Sequence, residues 1–174
     1  MNKQKFSAKY ALWAFVGIVV LVAFDQWTKH LATIYLEGKS PIPLIDGVLE
    51  FHFLEGGNTG AAWGLLNGHS WIFYVSTPIL ILAVMYLFYK LPQTRRALPV
   101  HVITVFIISG AIGNLIDRIR FSSVIDFIYF KLINFPIFNV ADIYVTVSTI
   151  LLFILVLFYY KDADYDFLKK TKTE

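Results

Sequence analysis

The chain has 174 residues, 57% of them hydrophobic and 16% charged, with a net charge of +3 and no cysteine. A soluble domain of this length cannot hide so much apolar surface in one core, so lipid must be the solvent for part of it. Lack of cysteine removes disulfides, thiolate metal sites and cysteine nucleophiles, and the basic residues form no stripe of the kind that binds nucleic acid.

Four apolar segments predict an all-α membrane protein with four transmembrane helices in a single domain spanning 1–174. The helices are expected at about 10–27, 71–89, 100–116 and 140–160, each close to the roughly 20 residues a spanning helix needs. Two outer loops, about 30–70 and 117–139, join them. Lys3, Lys5 and Lys9 before the first apolar run also suit a secretory signal peptide. No small-residue cleavage site follows, and Asp25-Gln26-Trp27-Thr28-Lys29-His30 is not a processing sequence. Asp25 and Lys29 are spaced i,i+4 at the outer end of this helix and can pair, either to anchor the helix end or to position substrate.

In the first outer loop, Ser40-Pro41-Ile42-Pro43 breaks the chain and Asp46-Gly47 signals a turn. Leu49-Glu50-Phe51-His52-Phe53 alternates as a half-buried strand does. A small extracytoplasmic β element is therefore expected here. Trp27, Trp63 and Trp71 flank it and suit the interfacial aromatic belt. Gly56-Gly57-Asn58-Thr59-Gly60-Ala61-Ala62-Trp63 combines small residues with an amide that both donates and accepts. Taken alone, it also reads as a plain loop.

The third helix carries Ser109, Gly110, Gly113, Asn114, Asp117 and Arg118. Ser109 and Gly113 have the spacing that lets membrane helices approach, and the last three place amide, acid and base on one face, which a polar cap at the helix end would also do. Asp126 stands in the apolar run Val124-Ile125-Asp126-Phe127-Ile128, and Asp142 in the first turn of the fourth helix. They flank a short loop that can bring them together. Two touching carboxylates cannot both ionise easily, so one becomes a base for water and the other an acid for a carbonyl. Two separate capping aspartates would give the same pattern.

Ten of the 15 lysines and arginines fall on the flanks that hold both termini, which predicts cytoplasmic termini and outer loops on the far side. The histidines (His30, His52, His69, His101) are dispersed, and neither an HExxH nor a phosphate loop is present. A transporter would keep its acids near the bilayer midplane in broken helices, whereas these cluster at the outer helix ends. A non-catalytic assembly factor would not need two converging acids.

Five motifs in order resemble those of lipoprotein signal peptidase, or signal peptidase II, across nearly the whole chain. They are Asp25-Gln26-Trp27-Thr28-Lys29, Asn58 to Trp63, Gly113-Asn114-Leu115-Ile116-Asp117-Arg118, Val124-Ile125-Asp126-Phe127, and Phe138-Asn139-Val140-Ala141-Asp142. The resemblance implies a bacterial inner-membrane aspartyl endopeptidase. It would cut prolipoproteins on the amino side of a diacylglyceryl-modified cysteine, and globomycin would block it. Asp126 and Asp142 are implied as the catalytic pair. Asp25, Lys29, Asn58, Gly60, Asn114, Asp117, Arg118 and Asn139 would support the site or hold substrate. No metal or cofactor is implied. The expected partners are lipidated prolipoproteins and membrane lipid, not nucleic acid, with the chain acting as a monomer. Trp63 stands where phenylalanine is commoner, Ser123 where glycine is usual, and Ile143 where serine commonly follows. Glu55-Gly56-Gly57 before Asn58 is also unusual.

Overall fold

The computed structural model describes residues 7–60, 71–161 and 164. Ala61, Ala62, Trp63 and His69 lie outside the described residues, so the end of the second motif is not placed.

Four helices form the body: α1 (Ala8–Leu36), α2 (Trp71–Lys90), α3 (Leu98–Phe121) and α4 (Val140–Ile154), the last continued by a π-turn at Leu155–Tyr159. All four are long and apolar enough to cross a membrane, with mean hydropathy from 1.8 to 2.4. Most of α3 is buried, because it packs against α1, α2 and α4. The other three turn much of their apolar surface outward: Phe15, Leu82 and Phe153 are each more than 60% exposed. In water such surface would be a fault; in lipid it is the solvent-facing side.

Glycines set the distance between helices. A Cβ on Gly110 would meet the Ala141 carbonyl oxygen at 2.5 Å, and one on Gly113 would meet Asp25 Oδ2 at 2.5 Å. These two positions bring α4 and the polar part of α1 against α3. Ser109, expected to share that task with Gly113, is buried and donates back to the Val105 carbonyl at 2.7 Å.

The first helix does not stop near Trp27, where the apolar run ends, but continues to Leu36. Its 29 residues span about 44 Å, more than the roughly 30 Å hydrocarbon core. Past Trp27 the helix persists because Lys29 is neutralised within the protein and because Ala32 and Leu36 pack on Phe127. Lys29 is thus about two turns and Asp25 about three turns inside the helix, not at its end. Likewise α3 runs on to Phe121 and is stopped by Ser122 in the left-handed conformation (φ 60°), whose N–H donates to the Arg118 carbonyl.

The expected β element is present as a three-stranded antiparallel sheet, β1 (Ile42–Ile45), β2 (Leu49–Phe51) and β3 (Ile128–Phe130), in that order. Asp46-Gly47 turns the hairpin, with Gly47 at φ +70°. The third strand was not expected. It comes from the loop between α3 and α4, so the sheet ties both loops at this end of the bundle together. Beyond β2, His52 N–H donates to the Phe127 carbonyl and Leu54 N–H to that of Asp126, both at 3.0 Å. The backbone of Asp126 is therefore fixed before its side chain makes any contact.

Candidate active site

Asp126 and Asp142 arrive from different elements and meet at one asparagine. Asn139 is the N-cap of α4: its Oδ1 accepts from Asp142 N–H at 3.0 Å, and its own N–H donates to Asp142 Oδ2 at 3.1 Å, a reciprocal capping box. The Nδ2 of the same residue donates to Asp126 Oδ1 at 2.7 Å. Asn139 is fully buried, so its side chain holds the Asp126 carboxylate and its backbone N–H the Asp142 carboxylate from one fixed residue.

The outer oxygens have partners too. Asn58 Nδ2 donates to Asp126 Oδ2 at 2.9 Å, and Asn114 Nδ2 to Asp142 Oδ1 at 2.8 Å. Asn58 is oriented by its neighbour, since Gly60 N–H donates to Asn58 Oδ1 at 3.0 Å. Asn58 and Val124 also pair through their backbones, at 2.8 and 2.9 Å. Asn114 Oδ1 accepts from Asn139 Nδ2 at 3.0 Å and from Lys29 Nζ at 2.9 Å, which fixes its amide with the Nδ2 toward Asp142.

Behind this layer lies a buried charge cluster. Lys29 Nζ sits 3.0 Å from Asp25 Oδ2 and 2.8 Å from Asp117 Oδ2, with all three side chains at most 1% exposed. Charges this deep need every lone pair satisfied. Asp25 Oδ1 accepts from Ala141 N–H at 2.9 Å, and Asp117 Oδ2 from Ile125 N–H at 3.2 Å. Ala141 is in the first turn of α4, where N–H groups have no partner inside the helix. Asp25 thus supplies from α1 an acceptor that α4 lacks.

Burial, and then the Asp142 charge, push the Asp126 carboxyl up to about 7, against the donor bonds from Asn58 and Asn139. An aspartate that keeps its proton near neutrality can donate it.

Arg118 is placed differently from its motif neighbours. It makes no ion pair among the described residues; its guanidinium stacks 4.1 Å over the Phe73 ring of α2. With Asn114, Gly110 and Asp142 it lines a cavity of about 200 Å³ between α2, α3 and α4. This space opens directly on Asp142.

Sequence reasoning missed one member of the cluster. Gln26 Nε2 donates to Asp117 Oδ1 at 2.9 Å, to the Gly113 carbonyl at 3.2 Å and to Asp25 Oδ2 at 3.3 Å. A neutral amide beside two charged residues gives no signal of its own until α1 and α3 are seen in contact. Two of the motif departures meet in space. Gly57 (φ +68°) lies against Ser123, where a Cβ would come within 2.5 Å of the serine Oγ. The larger residue at 123 is accommodated by the missing side chain at 57.

Comparison with known proteins followed the same outline. The family profile described as "Signal peptidase (SPase) II" matches residues 17–158. The lipoprotein signal peptidase of Geobacillus kaustophilus is 40% identical over 149 residues, covering 84% of this chain and 92% of that protein. That of Bacillus subtilis is 40% identical over 138 residues, covering 78% and 87%. That of Clostridioides difficile is 40% identical over 146 residues, covering 82% and 93%. A solved structure titled "Bacterial membrane enzyme structure by the in meso method at 2.3 A resolution" superposes with a TM-score of 0.73 at 31% identity, covering 92% of this chain and 94% of that one.

Proposed function

The chain belongs to the signal peptidase II family, a multi-pass membrane peptidase of bacteria, and on that premise we propose that it is an aspartic endopeptidase in which Asp126 and Asp142 act together on water. Its substrates are prolipoproteins, cut on the amino side of a cysteine that carries a diacylglyceryl group. The observation that carries the reading is Asn139, which binds both acids at the buried end of the bundle.

The pair holds one proton. Asp142 takes a proton from a water placed between the carboxylates, and the hydroxide attacks the scissile carbonyl carbon. Asp126 gives its proton to the carbonyl oxygen, and a tetrahedral diol results. Collapse of the diol breaks the C–N bond as Asp142 gives its proton to the leaving nitrogen and Asp126 takes one back from a diol hydroxyl, so the pair again holds one proton. The products are a signal peptide with a free carboxyl and a lipidated cysteine with a free amine. Asn114 and Asn58 hold each acid on its outer oxygen, so the geometry is set before substrate arrives. Asn114 and Arg118, on the wall of the cavity beside Asp142, hold the peptide backbone or the glycerol. No metal or cofactor takes part, and globomycin competes for the same space. The chain works as a monomer in the inner membrane, with both termini cytoplasmic and the site near the outer leaflet.

The pH dependence follows from the raised Asp126. An ordinary aspartate loses its proton near 3.8, whereas this one keeps it to about 7. The donor form is therefore present below about 7 and is lost above it. Turnover should fall about tenfold per pH unit on the alkaline side, with the apparent value belonging to the pair. A rate that stays flat from slightly acid to clearly alkaline pH contradicts a protonated donor.

Recognition is tested with matched precursor peptides, lipidated and unlipidated, in detergent or bilayer. Acyl chains partition into lipid at about 0.8 kcal/mol per buried CH₂ and so hold the cysteine at headgroup depth. The unlipidated peptide should be cut far more slowly. Equal initial rates would mean that the acids are served from the aqueous side.

A further inference from the structure

The end of the bundle opposite the acids carries a groove that the peptidase reading does not use. It lies on the outer face of α1 and α3, has a volume of about 580 Å³, and is walled by Val16, Gly17 and Val20 on one side and Val105 and Phe106 on the other. Gly17 opens it: a Cβ there would meet Val105 Cγ1 at 3.3 Å, so the two helices touch at the groove floor and side chains rise only at its edges. At the mouth stand Trp13 and Lys9, which also line a second, adjoining cavity of about 240 Å³ with Tyr10 and Leu98.

We propose that this groove binds one anionic glycerophospholipid of the leaflet remote from the candidate active site, with an acyl chain in the groove and the phosphate at Lys9. Three observations carry it. First, the walls are apolar along their length and the single charge is at the end where α1 begins. Second, the length matches. From Lys9 to Leu21, the last wall residue of α1, the helix rises about 18 Å. That is close to half of the roughly 30 Å hydrocarbon core, or one leaflet. Third, Lys9 is the one charged residue on the groove and makes no ion pair among the described residues. Its ammonium is left for an anion at headgroup level, with Trp13 one turn deeper as the interfacial ring.

The test is native mass spectrometry of the protein in a neutral detergent, with phosphatidylglycerol and phosphatidylcholine of the same chain length at equal mole fraction. The wild type should retain one phosphatidylglycerol with a roughly fivefold preference, the size of one lysine's attraction to an anionic surface. Lys9→Gln should abolish the preference. Val16→Trp, at an exposed wall position where the larger ring is tolerated, should lower retention of both lipids by filling the groove. Thermal unfolding of each variant checks that the bundle is intact. Equal retention of the two lipids by the wild type, a preference that survives Lys9→Gln, or retention unchanged in Val16→Trp would each overturn the proposal.

Discussion

Asp126→Asn and Asp142→Asn should each abolish cleavage and leave the bundle folded. The replacement keeps the shape of the side chain and one of its two acceptor oxygens. At position 126 the neighbours are two amide nitrogens, Asn139 Nδ2 and Asn58 Nδ2; Asn139 is held by its cap, so the new amide keeps its oxygen there and the Asn58 carboxamide turns to meet the new donor at the cost of its bond from Gly60. The fold therefore loses little. The chemistry loses a proton carrier, which is worth about 10²–10⁴-fold in rate for a single acid or base, and more when the two groups act as one unit. Initial rates on a lipidated precursor peptide, with thermal unfolding in detergent as the folding control, measure both effects. Near-normal turnover in either variant would remove the aspartate pair from the mechanism.

Lys29→Met should damage stability and activity together. Methionine has nearly the length of lysine without the charge, so packing is conserved and the loss is electrostatic. Asp25 and Asp117 would then face each other with no cation between them, at a depth where at most 1% of either side chain reaches solvent. Breaking a buried pair from one side costs about 3–5 kcal/mol. Asn114 would lose the ammonium that fixes its Oδ1, and with it the restraint that aims Nδ2 at Asp142. Denaturant unfolding in mixed micelles reads the first effect and kcat the second. Adding Asp117→Asn to Lys29→Met should recover part of the stability, because one stranded charge is gone. Unchanged unfolding of Lys29→Met would show that the three side chains do not form a charged cluster.

The four helices were legible because hydropathy is a bulk property that lipid enforces over some 20 residues. Their ends were not. The apolar run of α1 stops at Trp27, but the helix goes on to Leu36, since burial against Phe127 and neutralisation of Lys29 by Asp25 and Asp117 replace lipid as its support. The sheet was half legible. Leu49 to Phe51 alternates and sits beside a turn, whereas Ile128-Tyr129-Phe130 is a short apolar run whose pairing with β2 is a long-range fact. In the site, charged residues announced themselves and were tied into motifs by resemblance. What stayed hidden were the partners without charge: the Ala141 and Ile125 N–H groups and Gln26. Every residue but proline has a backbone donor, so nothing in the chain singles these out. They are defined by the approach that Gly110 and Gly113 permit.

In the proposed mechanism water is the nucleophile, held between two aspartates that form no covalent bond to substrate. A single turnover in water enriched in ¹⁸O, with enzyme in excess over a lipidated precursor peptide, tests this most directly. Mass spectrometry then follows the new carboxyl of the released signal peptide and the enzyme fragments that contain Asp126 and Asp142. The proposed mechanism predicts one ¹⁸O atom in the peptide carboxyl and none in either aspartate. Label in Asp126 or Asp142, with unlabelled oxygen in the peptide, would mean that a carboxylate attacked the carbonyl itself and would contradict it.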